Sequence, residues 1–148
     1  MPFICVYIHF VWSTKYRFPF LESPSTRLDV WKHIRQNGLS KGIHVDFVGG
    51  WVDHCHCIVS MKSNQSMDTV VQMIKGESSR FVNESGICNG EFSWQSGYYA
   101  AAIQFDRLNQ VREYIKKQEQ HHRSEPFTDE YEKMLRELGF QKVDLDFS

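Results

Sequence analysis

Between Ile43 and Met61 the chain alternates twice, and only Asp53 separates the two runs. In the first, Ile43, Val45 and Phe47 alternate with His44, Asp46 and Val48; in the second, His54, His56, Ile58 and Ser60 alternate with Cys55, Cys57, Val59 and Met61. A period of two is the pattern of half-buried strands. Two such strands with so little chain between them fold back as an antiparallel hairpin on a very short turn. Gly49-Gly50 marks a bulge or a close approach.

The rest of the chain supplies partners for that hairpin. Phe3 to Trp12 is rich in aromatic and β-branched residues and predicts a first strand carrying His9. Ser23-Pro24 predicts an N-cap and first-turn proline for a helix with Leu28, Trp31, Ile34 and Leu39 on one side, stopping near Gly42. Ser66 opens a second helix carrying Met67, Val70, Val71, Ile74 and Phe81 toward Gly86, with Gly76 as a weak point inside it. A loop leads to a fourth strand from Tyr98 to Phe105. Asp106 then caps a third helix with Leu108, Val111, Tyr114, Ile115 and Gln118, and Thr128 starts a short helix ending at Gly139. Strand, helix, strand, strand, helix, strand is the split βαβ order. The expected fold is α+β and ferredoxin-like, a four-stranded antiparallel sheet with helices on one face plus C-terminal helices. With 148 residues, the expectation is one domain, its core about 3–125 and a C-terminal helix and tail about 126–148.

The charge balance narrows the partners. Lysine plus arginine total 17 against 18 acids, so the chain is not a polybasic protein that holds duplex DNA by charge alone, although local patches can still meet nucleic acid. Apolar runs fall short of a bilayer span, and neither a membrane segment nor a signal peptide is expected. Cys5, Cys55, Cys57 and Cys88 lack zinc-ribbon spacing, which points to reduced thiols and a cytoplasmic location.

His54 and His56, two apart on a strand, project from one face roughly 7 Å apart and can converge on a metal ion, or form a hydrogen-bonded pair on a polar sheet face. Tyr114 and Gln118 stack at i and i+4 on a helix, where the amide oxygen can join a ligand set beside the phenol, or the pair can be a packed tyrosine next to a solvated amide. Lys15, Tyr16, Arg17 and Phe18 interleave charge with aromatics, which suits phosphate contact and base stacking. Lys75, Ser78, Ser79 and Arg80 form a second potential phosphate patch, and Lys116, Lys117 and Arg123 flank Tyr114. Each set also reads as an ordinary solvated surface. His121 and His122 read as a solvated helix end, and His9 as a hydrogen-bonding neighbour of the site.

Taken together, five blocks resemble the small single-tyrosine HUH transposases of bacterial insertion sequences. They are His9-Phe-Val-Trp-Ser-Thr-Lys-Tyr-Arg17, Trp51-Val-Asp-His-Cys-His-Cys-Ile-Val59, Lys75-Gly-Glu-Ser-Ser79, Trp94-Gln-Ser-Gly-Tyr98 and Val111-Arg-Glu-Tyr-Ile-Lys-Lys-Gln-Glu-Gln-His-His122. They stand in the family's order. Two places depart from its pattern: Cys55 replaces an aliphatic, and Tyr99-Ala-Ala-Ala-Ile-Gln104 follows Tyr98.

The resemblance implies a homodimer acting on single-stranded DNA with a hairpin. It further implies His54, His56 and Gln118 as ligands of a divalent metal, magnesium or manganese, and Tyr114 as the nucleophile. The reaction would cleave and rejoin the strand through a 5′-phosphotyrosine at hairpin-marked element ends. Other readings are a domesticated relative that processes chromosomal repeats, a non-catalytic single-strand binding module, or a structural metal protein.

Overall fold

A computed structural model describes residues 1–118 and Arg136. The expected helix from Thr128, the tail after Gly139, and His121, His122 and Arg123 lie outside the described residues.

Four strands, β1 (Tyr7–Ser13), β2 (His44–Trp51), β3 (His54–Ser60) and β4 (Tyr99–Ile103), form one sheet in the order β2-β3-β1-β4. All three pairings are antiparallel. Helix α1 (Pro24–Ser40) carries the chain from β1 to β2, and α2 (Met67–Ser85) carries it from β3 to β4. This is the ferredoxin-like topology expected from the order of elements. A third helix, α3 (Leu108–Lys116), packs against the opposite face.

The two faces bury different things. Phe10, Trp12, Cys55, Cys57 and Val59 point toward α1 and α2, joining Val30, Ile34, Val70, Val71, Ile74 and Val82 in the main core. Each large apolar side chain buried there contributes about 1.5–3 kcal/mol of transfer free energy. On the other face Ile58 packs with Leu108, Val111 and Ile115 of α3. His9, Val11, His54 and His56 share that second face, because β1 and β3 pair Val11 with His56 and His9 with Ile58.

Several sequence expectations move. The first strand begins at Tyr7, so residues 3 to 6 precede it. Val45 and Phe47 do not share a face: a bulge between them sends Val45 into the α1/α2 core and Phe47 toward α3. On α1 the buried line is Arg27, Val30, Ile34 and Gly38, while Leu28 and Leu39 are exposed. Gly38 decides this, since a Cβ there would stand 2.9 Å from Val45 Cγ2, and only a bare Cα lets the helix lie so close. Asp106 lies within a 3₁₀ turn (Phe105–Arg107) and does not cap α3. Ser23 and Ser66 do cap their helices, accepting from Thr26 N–H and Thr69 N–H, and Gly86 closes α2 in the left-handed conformation. Gly76 lies inside α2 without breaking it, and a Cβ there would meet open space, so nothing in the packing requires glycine.

Candidate active site

Strand β3 begins one two-residue turn after β2, so His54 sits at the hairpin end of the sheet and His56 one pleat further in. Both are fully buried beneath α3, as are His9 and Gln118. The amide oxygen of Gln118, two residues beyond the end of α3, lies 3.2 Å from His54 Nε2. The half-buried Tyr114 ring stands edge-on to His56, 5.8 Å between centroids. The His54 and His56 rings are 5.1 Å apart at 74°. The four residues singled out in the sequence are thus brought together on one sheet face.

Neighbouring groups orient these rings. Asp53 Oδ1 lies 2.8 Å from His54 Nδ1, and His9 Nε2 lies 2.9 Å from His56 Nδ1. A carboxylate and an amide oxygen both only accept, so a neutral His54 donates either from Nδ1 to Asp53 or from Nε2 to Gln118 Oε1, and a cation bound between Nε2 and Oε1 is compatible with the first arrangement alone. Two lone-pair donors side by side are the arrangement a divalent cation collects, and a carboxylate behind a ligating histidine is its usual outer support. The donor set therefore fits a metal. It consists of two imidazoles and an amide; among the described residues no group of three His, Cys, Asp or Glu is placed to hold an ion. Beneath the histidines, burial pushes the Cys55 thiol well up and the Cys57 thiol up to about 12, so both are inert packing groups. All four cysteines are free thiols.

Close approach of α3 depends on Gly49 and on an ion pair to Asp46, while Gly50 serves the β2–β3 hairpin. Gly49 pairs with His56 across β2 and β3, and a Cβ on it would stand 2.8 Å from Ile115 Cγ2. Its neighbour Gly50 is closed to a side chain by His54 O, 2.2 Å from where a Cβ would sit. Asp46, at the bulge, receives a bidentate pair from Arg112, Nε at 2.8 Å and Nη2 at 2.6 Å. Of these, the glycine pair was a visible signal, and its close-approach reading is the one realised. The Asp46–Arg112 clamp had no local signature, because the partners are far apart in sequence and meet only once the bulge has formed.

The cationic and aromatic cluster stands at the same end. Thr14 N–H donates to Asp53 O (2.8 Å), so the 3₁₀ turn Lys15–Arg17 leaves the sheet next to the histidine site. Tyr16 and Arg17 both adopt left-handed backbone, φ 58° and 54°, at about 1–2 kcal/mol each. Thr14 Oγ1 donating to Phe18 O and Tyr16 N–H donating to Gln95 Oε1 hold them there, with the Tyr16 ring 86% exposed. Lys75 donates to Gln95 O and Gly97 O, and burial pulls its ammonium down to about 8. Ser79 donates to Phe92 O, and Arg80 pairs with Glu77 at the surface. Lys75 and Ser79 therefore brace the loop on which Tyr16 rests. Lys116 and Lys117 are exposed at the end of α3, beside Gln118.

The sequence pattern of the IS200-like transposases matches residues 3–118. Among solved structures, a Deinococcus radiodurans R1 chain provisionally assigned as a transposase aligns with TM-score 0.62 and 18% identity, over 80% of this chain and 95% of that one. A REP-associated tyrosine transposase solved bound to a REP hairpin aligns with TM-score 0.58 and 17% identity, over 82% of this chain and 72% of that one. At such identities the structural likeness speaks for the fold. No curated protein matches. No helix among the described residues is long and apolar enough to cross a membrane.

Proposed function

The chain belongs to the IS200-like transposase family, and on that premise we propose that it cleaves and rejoins single-stranded DNA at hairpin-marked element ends through a 5′-phosphotyrosine. The observation that carries this reading is the convergence of His54, His56, Gln118 and Tyr114 on one buried face, with Gln118 Oε1 3.2 Å from His54 Nε2 and the Tyr114 ring edge-on to His56.

His54, His56 and Gln118 are the residues that would hold magnesium or manganese. When bound, the ion supplies polarisation of a phosphodiester oxygen. Tyr114 Oη attacks phosphorus, its proton leaves, the bond to O3′ breaks, and O3′ takes a proton to become a hydroxyl. The tyrosyl phosphodiester keeps the bond energy, so an incoming 3′-hydroxyl can reverse the step. A phenol with an ordinary pKa near 10 is a weak nucleophile unless its proton is drawn off, which is why a polarising centre next to His56 matters.

The strand path runs over Lys15, Tyr16 and Arg17, with the exposed Tyr16 ring as a stacking surface. Arg80, Lys116 and Lys117 supply phosphate contacts along it, and Lys75 and Ser79 hold the loop beneath Tyr16. The active form is a homodimer.

The test is a 5′-labelled single strand taken from the flanks of this protein's own gene, incubated with manganese. The expected product is one shortened fragment ending in a 3′-hydroxyl, lost in Tyr114→Phe and strongly reduced in His54→Ala and Gln118→Ala. Cleavage that persists in Tyr114→Phe overturns the assignment of the nucleophile.

A further inference from the structure

His9 is 1% exposed on β1, a sealed polar side chain with no assigned part in the attack on phosphorus. It lies diagonal to His56 on the same sheet face, since β1 pairs Val11 with His56 and His9 with Ile58. The two rings are 5.1 Å apart and tilted by 30°, with His9 Nε2 2.9 Å from His56 Nδ1.

A nitrogen pair at that distance shares one hydrogen, and a neutral imidazole carries one hydrogen on one of its two nitrogens. Two arrangements are therefore open. If His56 Nδ1–H donates to His9 Nε2, the lone pair of His56 sits on Nε2 and can ligate. If His9 Nε2–H donates instead, His56 carries its hydrogen on Nε2 and cannot. Burial removes water as a competing partner, and a cation on His56 Nε2 is compatible with the first arrangement alone, which leaves the hydrogen of His9 on its buried Nδ1. For His54 the comparable group is Asp53, which can only accept and so stands ready for the Nδ1 hydrogen when a cation takes Nε2.

We propose that His9 is a positioning residue that accepts the Nδ1 hydrogen of His56 and thereby fixes the tautomer in which His56 Nε2 binds metal. This rests on the reading of His56 as a ligand. The two histidines of the site are then oriented by two different groups: His54 by a carboxylate from the hairpin turn, His56 by a neutral imidazole from the neighbouring central strand. The arrangement gives His9 a chemical role that a merely space-filling residue would not have.

Two measurements on the full chain test it. In the metal-free wild type, long-range ¹H–¹⁵N correlation of the histidine rings, with His56 assigned from His56→Gln, is expected to show the hydrogen of His56 on Nδ1. A hydrogen on Nε2 overturns the proposal, whatever any variant does. The second is manganese titration followed by the EPR signal of the free ion. His9→Leu, which removes the acceptor, is expected to weaken binding about 10- to 100-fold. His9→Gln, whose Oε1 can reach the place of Nε2, is expected to restore most of it. A folded His9→Leu that binds manganese like the wild type overturns the proposal; should His9→Leu not fold, the tautomer in the wild type decides. A wild type that binds no manganese counts against the metal reading of the active site, whereas the tautomer still decides what His9 does to His56.

Discussion

Replacing Gly49 with alanine adds one methyl group at the point where α3 lies closest to the sheet. The backbone there is ordinary strand, so alanine is conformationally allowed and gains about 0.4–1 kcal/mol by restricting the unfolded chain. Against this, its Cβ would stand 2.8 Å from Ile115 Cγ2, whereas carbon atoms in contact prefer about 3.5–4.0 Å. Overpacking of this kind costs about 1–3 kcal/mol, so the net expectation is a loss of about 1–2 kcal/mol in urea denaturation. The cheaper escape is for α3 to move outward by on the order of 1 Å, carrying Tyr114 with it, and a misplacement of that size can cost about 100-fold in rate. The offending atom can be removed separately: leucine has no methyl on Cβ, so Ile115→Leu abolishes the clash at near-constant volume. The double variant is expected to recover about 1 kcal/mol and most of the covalent DNA adduct relative to Gly49→Ala alone. Strictly additive effects, or a Gly49→Ala protein as stable and active as the wild type, would refute the claim that this glycine sets the height of α3.

Arg112→Leu leaves the half-buried Asp46 without its bidentate partner and is expected to cost about 1–3 kcal/mol. Hydrogen exchange of residues 108–118 should speed up more than that of α2, and unchanged protection would contradict the clamp. Asp53→Asn replaces the obligate acceptor behind His54, so manganese affinity should fall about 10-fold while the melting temperature of the metal-free protein barely moves. His33 lies stacked on Phe81, and burial, the largest influence, holds its pKa below the ordinary value. The unfolded chain takes up that proton first as pH falls, so His33 contributes a loss of stability below about pH 6.5. His33→Gln should show a smaller drop in urea midpoint between pH 7.5 and 5.5 than the wild type; equal drops would show that His33 is not responsible.

The clustering of the candidate site residues was legible: alternation along β3 puts His54 and His56 on one face, and an i, i+4 spacing puts Tyr114 and Gln118 on one side of the chain there, although α3 itself ends at Lys116 and Gln118 follows it. Both are local periodicities that tertiary packing had no cause to override. What the sequence concealed was long-range. Phe47 changes face because of a bulge whose only visible residue is Asp46, and Asp46 has meaning only once Arg112 reaches it. The buried side of α1 follows Gly38 rather than Leu28 and Leu39, since close approach to Val45 outweighed the burial of two leucines. Lys75 looked like a phosphate contact by composition, yet folding places carbonyl oxygens of residues 95 and 97 around its ammonium. His9 was visible as a residue, but its bearing on His56 required the register of β1 against β3.

The central claim is that Tyr114 becomes covalently joined to DNA. Intact mass spectrometry of the protein, incubated with manganese and single-stranded DNA from the flanks of its own gene, tests it directly. The account predicts a mass increase equal to one cleaved fragment, mapping to the peptide that contains Tyr114 and absent in Tyr114→Phe. An adduct on another residue, or cleaved DNA with no adduct at all, would contradict it.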